Sequence, residues 1–187
     1  MRVIAGEAKG VRLKSPTSGT RPMMDRMKES VFSHLGEFDG LTVLDLYAGS
    51  GSLGLEALSR GADHAIFVES AREAIVKLEQ NIEATGLSKK AEVRWADVKS
   101  SLSRPPDTRI DVVFLDPPYN FPVSTVRSDL EAIVMGGFLS NDGKILVHRP
   151  GKESGLEPLG LTLIWEREYG QSRVFVFGHE EEEEEES

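Results

Sequence analysis

The pattern of apolar and polar residues changes at about residue 41. From there, short apolar runs alternate with longer segments whose apolar residues recur at helical spacing, as Ile75, Leu78 and Ile82 do. The run over 110–115 is apolar after Asp111, which is typical of a strand covered on both faces. Strands that alternate with helices predict an α/β fold with a doubly wound, mostly parallel sheet. The strands are predicted over 41–46, 64–68, 91–96, 110–115, 144–148, 161–168 and 173–177, and the helices over 52–60, 70–85 and 123–135.

Turn and cap residues set the boundaries of several of these elements. Ser70 and Glu73 have the spacing of a capping box at the start of a helix, and Gly86 follows its end. The turn-forming residues 141–143 predict a turn before the next strand, and residues 170–172 predict a hairpin. Such a hairpin makes at least one strand antiparallel to the rest.

The first 36 residues, here called the leader, have a different pattern. Gly6 and Gly10 interrupt strand-forming residues over 2–14, which predicts a short β-ribbon. Apolar residues at helical spacing then predict a helix over 24–35 that ends before Gly36. The expected organisation is a basic ribbon and helix over 1–36, a main domain over 37–179 and a disordered polyglutamate tail over 180–187.

Charge is divided unevenly along the chain. The net charge is −9, yet residues 1–36 contain seven Lys or Arg and only three acids. The tail over 180–187 contains seven Glu. A basic leader before an acidic body predicts an anionic partner for the leader.

Composition excludes several kinds of chemistry. The chain has no Cys, so disulfides, zinc–thiolate sites, iron–sulfur clusters and thiol catalysis are excluded. The four His are far apart and show no ligand spacing, so no metal site is predicted. No apolar run is long enough to span a membrane, and the first residues are too polar for a signal peptide. The expectation is a soluble, cytoplasmic protein.

A glycine motif lies at the junction between the first predicted strand and helix. Gly49-x-Gly51-x-x-Gly54 matches the fingerprint of dinucleotide-binding turns, in which backbone approaches a ligand closely. Glu69 ends the next strand, where a carboxylate can hold both hydroxyls of a ribose. The pattern indicates an adenosine-containing cofactor, and a purely structural strand–helix turn is the alternative.

Two further acids follow predicted strands. Asp45 lies four residues before Gly49, and an acidic side chain there is unfavourable next to a pyrophosphate. It suits a ligand with an ammonium and a sulfonium group, as S-adenosylmethionine has, or else it caps the turn. Asp97 can accept from the exocyclic amine of an adenine, or it can cap a short helix over 98–102.

The strongest signal is Asp116-Pro117-Pro118-Tyr119 at the end of the fourth strand. Ligands of open α/β sheets bind outside the carboxyl ends of the strands. Consecutive prolines fix the backbone, so that the Asp116 carboxylate and the Pro117 carbonyl can both accept from one NH2 group. Tyr119 offers a ring on which a base can stack. The tetrad therefore predicts methyl transfer to an exocyclic amine, whose delocalised lone pair needs such positioning.

These residues resemble a known family. The Asp45–Gly51 loop together with the tetrad is similar to S-adenosylmethionine-dependent amino-methyltransferases of nucleic acid. The block Arg21-Pro-x-x-Asp-Arg-x-Lys-Glu-Ser-Val-Phe32 narrows the resemblance to bacterial 16S ribosomal RNA guanine-N2 methyltransferases of the RsmD type. The resemblance extends from about Arg2 to Phe177. Its one marked departure is Met23-Met24, where family members usually carry hydroxyl residues.

The resemblance implies a Rossmann-like fold with seven strands, the seventh antiparallel, and methylation of one guanine N2 on an assembled or assembling small ribosomal subunit. It implies that Asp116, Pro117, Pro118 and Tyr119 hold the target base. The cofactor residues expected from it are Asp45, Tyr47, Ala48, Gly49, Ser50, Gly51, Glu69, Ser70, Asp97 and Val98. The bases expected to contact RNA are Arg2, Lys9, Arg12, Arg21, Arg26 and Lys28.

Three alternatives remain at this point. The same chemistry on adenine N6 is compatible with the tetrad, although no long insertion is present to read a DNA sequence. A nicotinamide-dependent oxidoreductase would explain the glycine motif, but neither Asp45 nor the tetrad. A nucleic-acid-binding protein without catalysis would not need Asp116 and Tyr119.

Overall fold

A computed structural model describes residues 1–16 and 23–181. The elements follow the alternation expected from the sequence. The helices are α1 (Asp25–Leu35), α2 (Ser52–Ser59), α3 (Arg72–Thr85), α4 (Val98–Leu102) and α5 (Val123–Met135). The strands are β1 (Thr42–Leu46), β2 (His64–Glu69), β3 (Ala91–Trp95), β4 (Ile110–Leu115), β5 (Leu139–Pro150), β6 (Leu161–Tyr169) and β7 (Ser172–His179).

The seven strands form one sheet in the order β3-β2-β1-β4-β5-β7-β6. Strands β1 to β5 are parallel, whereas β7 runs antiparallel to both β5 and β6. The predicted α/β fold with a mostly parallel seven-stranded sheet is therefore confirmed. The strand order reverses between β1 and β4, and such a reversal opens a crevice at the carboxyl ends of the strands. None of the helices in the described part of the chain has the length and apolar character needed to cross a membrane.

Apolar strands hold the sheet between two hydrophobic cores. The side chains of Phe67 and Phe114 are fully buried in one core, and those of Leu46 and Leu115 in the other. The first core includes α1, α2 and α3, and the second includes α4 and α5. Full coverage on both faces explains why the central strands are almost continuously apolar.

The leader packs onto the main domain and forms less β structure than expected. Its predicted ribbon is reduced to a single antiparallel bridge between Arg2 and Arg12. Gly6 lies so close to α2 that an added Cβ would be 1.9 Å from the Ser59 carbonyl oxygen. The Glu7 amide also donates to that oxygen, over 2.8 Å. The leader backbone here thus bonds to α2 instead of pairing with a second strand of a ribbon.

Two predicted boundaries were wrong. Helix α3 begins at Arg72 rather than at Ser70, and its N-cap Ala71 provides no side-chain cap. The Glu69 carboxylate accepts the Ala71 amide. The turn predicted over 141–143 lies inside β5 as an irregularity, since the pairing shifts between Ile110 and Val112. Gly86 ends α3 in the left-handed conformation, as expected.

Candidate active site

The carboxyl ends of the parallel strands border a cavity of about 820 Å³. Asp116 lines this cavity and also a smaller one of about 50 Å³ that Asp45 lines. Most of the residues predicted from the sequence lie here. The large cavity is lined by Tyr47, Gly49, Glu69, Ser70, Asp97, Val98, Asp116 and Pro118, and the small one by Asp45, Tyr47, Ala48, Gly49, Ser50 and Asp116.

The three glycines of the motif have different roles. Gly49 has a φ of +56°, and an added Cβ would meet no atom closer than 4.0 Å, so its surface is open to a ligand. Gly51 lines neither cavity, and a Cβ there would lie 2.3 Å from the Leu78 side chain. A Cβ on Gly54 would lie 2.4 Å from the Phe67 ring. Gly51 has a φ of +80° at the N-cap of α2, so a glycine is favoured there by the backbone, and its contact with the cofactor stays a prediction.

Glu69 organises the rim of the large cavity. One carboxylate oxygen accepts the Gly49 amide over 2.9 Å, and the other accepts the Ala71 amide over 2.8 Å. Each carboxylate oxygen has a second lone pair for a further donor. The glutamate side chain thus links the glycine loop to α3 while it still borders the cavity.

Asp97 is the helix cap that the sequence offered as one of its two roles. Its side chain caps α4 by accepting the Ser100 amide over 3.2 Å, and the residue also lines the large cavity. The neighbouring Val98 is buried and contributes an apolar wall.

Asp45 is almost fully buried, at 1% exposure, and accepts the Gly54 amide over 2.9 Å. Burial raises the pKa of this carboxyl well above its usual range, and the negative charges of Asp116 and Glu69 raise it further. The hydrogen bond from Gly54 opposes that shift. A cationic group placed beside Asp45 would stabilise the ionised form.

Asp116 and Tyr119 are joined by a histidine that the sequence analysis did not identify. His148 on β5 is 1% exposed, and its Nδ1 lies 3.0 Å from Asp116 Oδ1. Its Nε2 lies 3.1 Å from the Tyr119 hydroxyl, which also lies 2.8 Å from the Ser172 hydroxyl. The two predicted base-holding side chains are therefore linked through the interior of the protein.

A buried arginine holds the backbone of the tetrad loop. Arg149 is fully buried and donates to the carbonyl oxygens of Pro118 and Phe121, over 3.3 and 2.7 Å. The carboxylate of Glu153 accepts two hydrogen bonds from the same guanidinium group, each over 2.6 Å. The paired carboxylate offsets the cost of burying this cation.

Tyr47 and Asp129 form a second polar pair that the motifs did not reveal. Tyr47 is a non-glycine residue with a φ of +56°, and its hydroxyl donates to Asp129 over 2.6 Å. Burial raises the pKa of Asp129, and burial together with the Asp129 carboxylate raises the pKa of Tyr47. The pair fixes the Tyr47 ring at the junction of the two cavities.

Met23, where a hydroxyl residue was expected from the resemblance, lines the small cavity with Asp45 and Asp116. Its side chain is 4% exposed and belongs to the first core, whereas that of Met24 is 73% exposed. The departure thus gives this cavity one apolar wall.

The leader bases differ in accessibility. Lys9, Arg12 and Arg26 are exposed, and Arg2 is exposed while pairing with Asp25. Arg21 lies outside the described residues, as does most of the polyglutamate tail.

The expected contact between Lys28 and RNA was wrong, because this side chain is completely buried. Its ammonium group lies 3.1 Å from Glu56 and donates to the Arg2 carbonyl and the Ser52 hydroxyl. Burial lowers its pKa, against the attraction of Glu56. Lys28 therefore holds the leader to α2.

The chain is similar to known proteins over nearly its whole length. Residues 1–178 match the family model described as Conserved hypothetical protein 95. YlbH of Bacillus subtilis (strain 168) is 37% identical over 182 residues, which are 95% of this chain and 98% of that protein. Ribosomal RNA small subunit methyltransferase D of Escherichia coli (strain K12) is 33% identical over 184 residues, 96% of this chain and 90% of that protein.

The fold is also found in a solved structure. That of yhhF from Escherichia coli is 32% identical, covers 96% of this chain and 98% of its own, and has a TM-score of 0.84. The similarity extends through the leader as well as the sheet. The chain belongs to the Conserved hypothetical protein 95 family, and its resemblance to methyltransferases of the RsmD type is confirmed.

Proposed function

We propose that this chain transfers a methyl group from S-adenosyl-L-methionine to the exocyclic N2 amine of a guanine in 16S ribosomal RNA. The observation that carries the proposal is the position of Asp116, which borders both the large cavity and the small one beside Asp45. The name of the Escherichia coli relative, a small subunit methyltransferase, supports ribosomal RNA as the substrate.

The polar groups of the cavity fit this cofactor. Glu69 faces the large cavity with acceptor capacity for two ribose hydroxyls, and Asp97 with capacity for an adenine amine. The buried Asp45 would balance the positive charges of the methionine end. Gly49 leaves open space at the loop between them. A volume of about 820 Å³ lies within the usual range for cofactor sites.

The residues around Asp116 fit the chemistry of an amine acceptor. When bound, the cofactor supplies a methyl group on a positively charged sulfur. Asp116 and the Pro117 carbonyl would accept hydrogen bonds from the target NH2 group and hold its lone pair toward that methyl. The Tyr119 ring would stack on the base, which contributes about 1–3 kcal/mol to capture.

Rigidity of the acceptor groups supports the same chemistry. Arg149 fixes the backbone at Pro118 and Phe121, so that the loop does not have to order when a base arrives. Electrostatic positioning of this kind reduces reorganisation during the reaction. Asp116, which would already contact the amine, would accept the proton that the amine loses on methylation.

The exposed bases of the leader would bring the RNA to this edge. Lys9, Arg12 and Arg26 are solvent-exposed in a protein whose net charge of −9 repels a polyanion. Local cationic groups overcome such repulsion by neutralising phosphates. The partner we propose is the assembled or assembling small ribosomal subunit.

Tritium transfer from labelled S-adenosylmethionine to small ribosomal subunits lacking this modification tests the proposal. Digestion and mass spectrometry of the nucleosides should give N2-methylguanosine. Asp116→Ala should lower the turnover number by about 10²-fold, because the amine loses its positioned acceptor. Asp142→Ala, which removes an exposed carboxylate on β5, should leave it unchanged.

Each other outcome excludes part of the proposal. N6-methyladenosine as the sole product would move the activity to adenine, the second candidate, which the tetrad equally supports. Absence of tritium transfer to any RNA, or full activity of Asp116→Ala, would reject amine methylation at this site. Parallel assays on protein-free RNA distinguish the free molecule from the assembled subunit as substrate.

A further inference from the structure

A line of hydrogen bonds runs behind the tetrad, from Ser172 on β7 through Tyr119 and His148 to Asp116. We propose that His148 is a positioning residue that holds the side chains of Asp116 and Tyr119 in the orientation needed to bind the target base. The inference rests on the proposed function. His148 would touch neither base nor cofactor, and it acts through the two side chains that it joins.

The chemistry of the partners fixes the direction of these bonds. A carboxylate only accepts, so when His148 carries a single ring proton, this proton lies on Nδ1 and is donated to Asp116. Nε2 is then an acceptor for the Tyr119 hydroxyl. The Tyr119 oxygen in turn accepts from the Ser172 hydroxyl. One tautomer of His148 therefore satisfies both neighbours at once.

Asp116 gains a defined orientation from this bond. His148 binds Oδ1, and no other described residue donates a hydrogen bond to Oδ2. The Asp116 side chain is 23% exposed, whereas His148 is 1% exposed, so the bound oxygen faces the interior. The second oxygen is left to accept from an amine in the cavity. Without His148 the carboxylate could rotate and present either oxygen.

Tyr119 gains a fixed ring plane. Its hydroxyl is held at 3.1 Å by His148 and at 2.8 Å by Ser172, and its ring meets the imidazole edge to face with 5.6 Å between centroids. Arg149 fixes the loop backbone through the carbonyls of Pro118 and Phe121. The backbone and the side chains of the tetrad are thus held by two consecutive residues of β5.

Two conservative variants separate the two bonds. In His148→Asn the amide nitrogen can replace Nδ1 and keep the donor to Asp116. In His148→Gln the longer side chain can replace Nε2 and keep the contact with Tyr119. A merely structural histidine would show the same loss in both. His179→Asn serves as the matched control, because His179 is a β7 histidine that bonds the carbonyls of Leu139 and Ser140, outside the site.

Steady-state methylation of small subunits should separate these variants. We expect His148→Asn to keep the turnover number within about threefold and raise the RNA KM about tenfold, because base stacking is loosened. His148→Gln should lower the turnover number by about 10²-fold with little change in KM, as expected for a misplaced acceptor. All variants and the His179→Asn control should bind S-adenosylmethionine with unchanged affinity.

The outcome can reject the inference without rejecting the proposed function. Equal effects of Asn and Gln, or wild-type kinetics in His148→Leu, would show that His148 only packs. If His148→Leu fails to fold, the Asn–Gln pair still decides. Proton NMR offers a readout independent of methylation: a protected Nδ1–H resonance should be present in the wild type, lost in Asp116→Ala and kept in Tyr119→Phe. Absence of that resonance in the wild type would overturn the assignment even if the RNA is methylated.

Discussion

The Lys28 ammonium group lies 3.1 Å from the Glu56 carboxylate, and both side chains are fully buried. Glu56 also accepts the amides of Ile4 and Ala5, over 2.8 and 3.1 Å. This pair therefore joins the first residues of the leader, α1 and α2 at one point. Removal of Glu56 would leave the Lys28 ammonium buried without a counter-charge, whereas removal of Lys28 would leave Glu56 with Arg60, 2.9 Å away.

Lys28→Met should lower the free energy of unfolding by about 1–3 kcal/mol, because the Arg2 carbonyl and the Ser52 hydroxyl lose a buried donor while Glu56 keeps its ion pair with Arg60. Urea unfolding measures the difference. Lys9→Met is the matched control, because Lys9 is an exposed base of the same leader and should change stability by less than about 0.5 kcal/mol. Equal stability of the two variants would contradict a buried, coupled Lys28.

The sequence predicted the sheet well because its signals are local. Apolar runs, helix periods and the acids that follow them specify the strands, and parallel strands bring their carboxyl ends together. Asp45, Glu69, Asp97 and Asp116 were therefore predicted to share one edge, where the structure places them.

Contacts between distant segments were not predictable in the same way. His148 and Arg149 lie near the end of β5 after an apolar run, and nothing nearby in the sequence indicates that they bond residues 116–121. Lys28 was expected among the bases that contact RNA. Instead it shares the buried side of α1 with Phe32, one helical turn away, because Glu56 lies opposite it. Lys28 and Glu56 are 28 residues apart, and a contact between residues so far apart produces no periodic pattern in the sequence.

Glu69→Ala should weaken binding of S-adenosylmethionine by about 10- to 100-fold, since a hydrogen bond to a charged group is worth about 1.5–3 kcal/mol. The variant loses the ribose acceptor and also the bond to the Gly49 amide. Calorimetry should detect the change. Glu79→Ala, at an exposed position of α3, should bind normally. Tight binding of NAD by the wild type would instead favour an oxidoreductase.

Binding of the cofactor should release protons from Asp45. Burial raises the pKa of this carboxyl in the free protein, and a cationic ligand would lower it. The complex then holds fewer protons than the free protein, so affinity should increase as the pH rises through the raised pKa. The free energy of unfolding should depend on pH in the opposite direction. Because the native state binds more protons at Asp45 than the unfolded chain does, the contribution of Asp45 to stability decreases as the pH rises.

Calorimetry in two buffers of different ionisation enthalpy counts the released protons. Asp45→Asn should abolish that part of the release, while its amide oxygen can still accept from Gly54. S-adenosylhomocysteine lacks the sulfonium charge and should release fewer protons than S-adenosylmethionine. Proton uptake by the wild type, or an unchanged release in Asp45→Asn, would contradict the role of Asp45 as counter-charge.

The leader can be tested as the RNA-binding surface through its exposed charges. Deletion of residues 1–14 is a poor test, because it would strip the Ile4 and Ala5 amides from Glu56 and unpack α2. Replacement of Lys9, Arg12 and Arg26 by Ala removes three exposed charges without these contacts.

The triple replacement should weaken RNA binding and reduce its dependence on salt. If each base neutralises one phosphate, the slope of log affinity against log salt should become less steep by about 2, from the single-strand coefficient of about −0.7 per phosphate. Filter binding between low and physiological salt gives the slope. A control that replaces Lys89, Arg127 and Lys152, three exposed bases outside the leader, changes the net charge equally. Affinity for S-adenosylmethionine should be unchanged in both triple variants. If both variants flatten the salt slope to the same extent, the effect comes from net charge, and the leader is not the RNA contact surface.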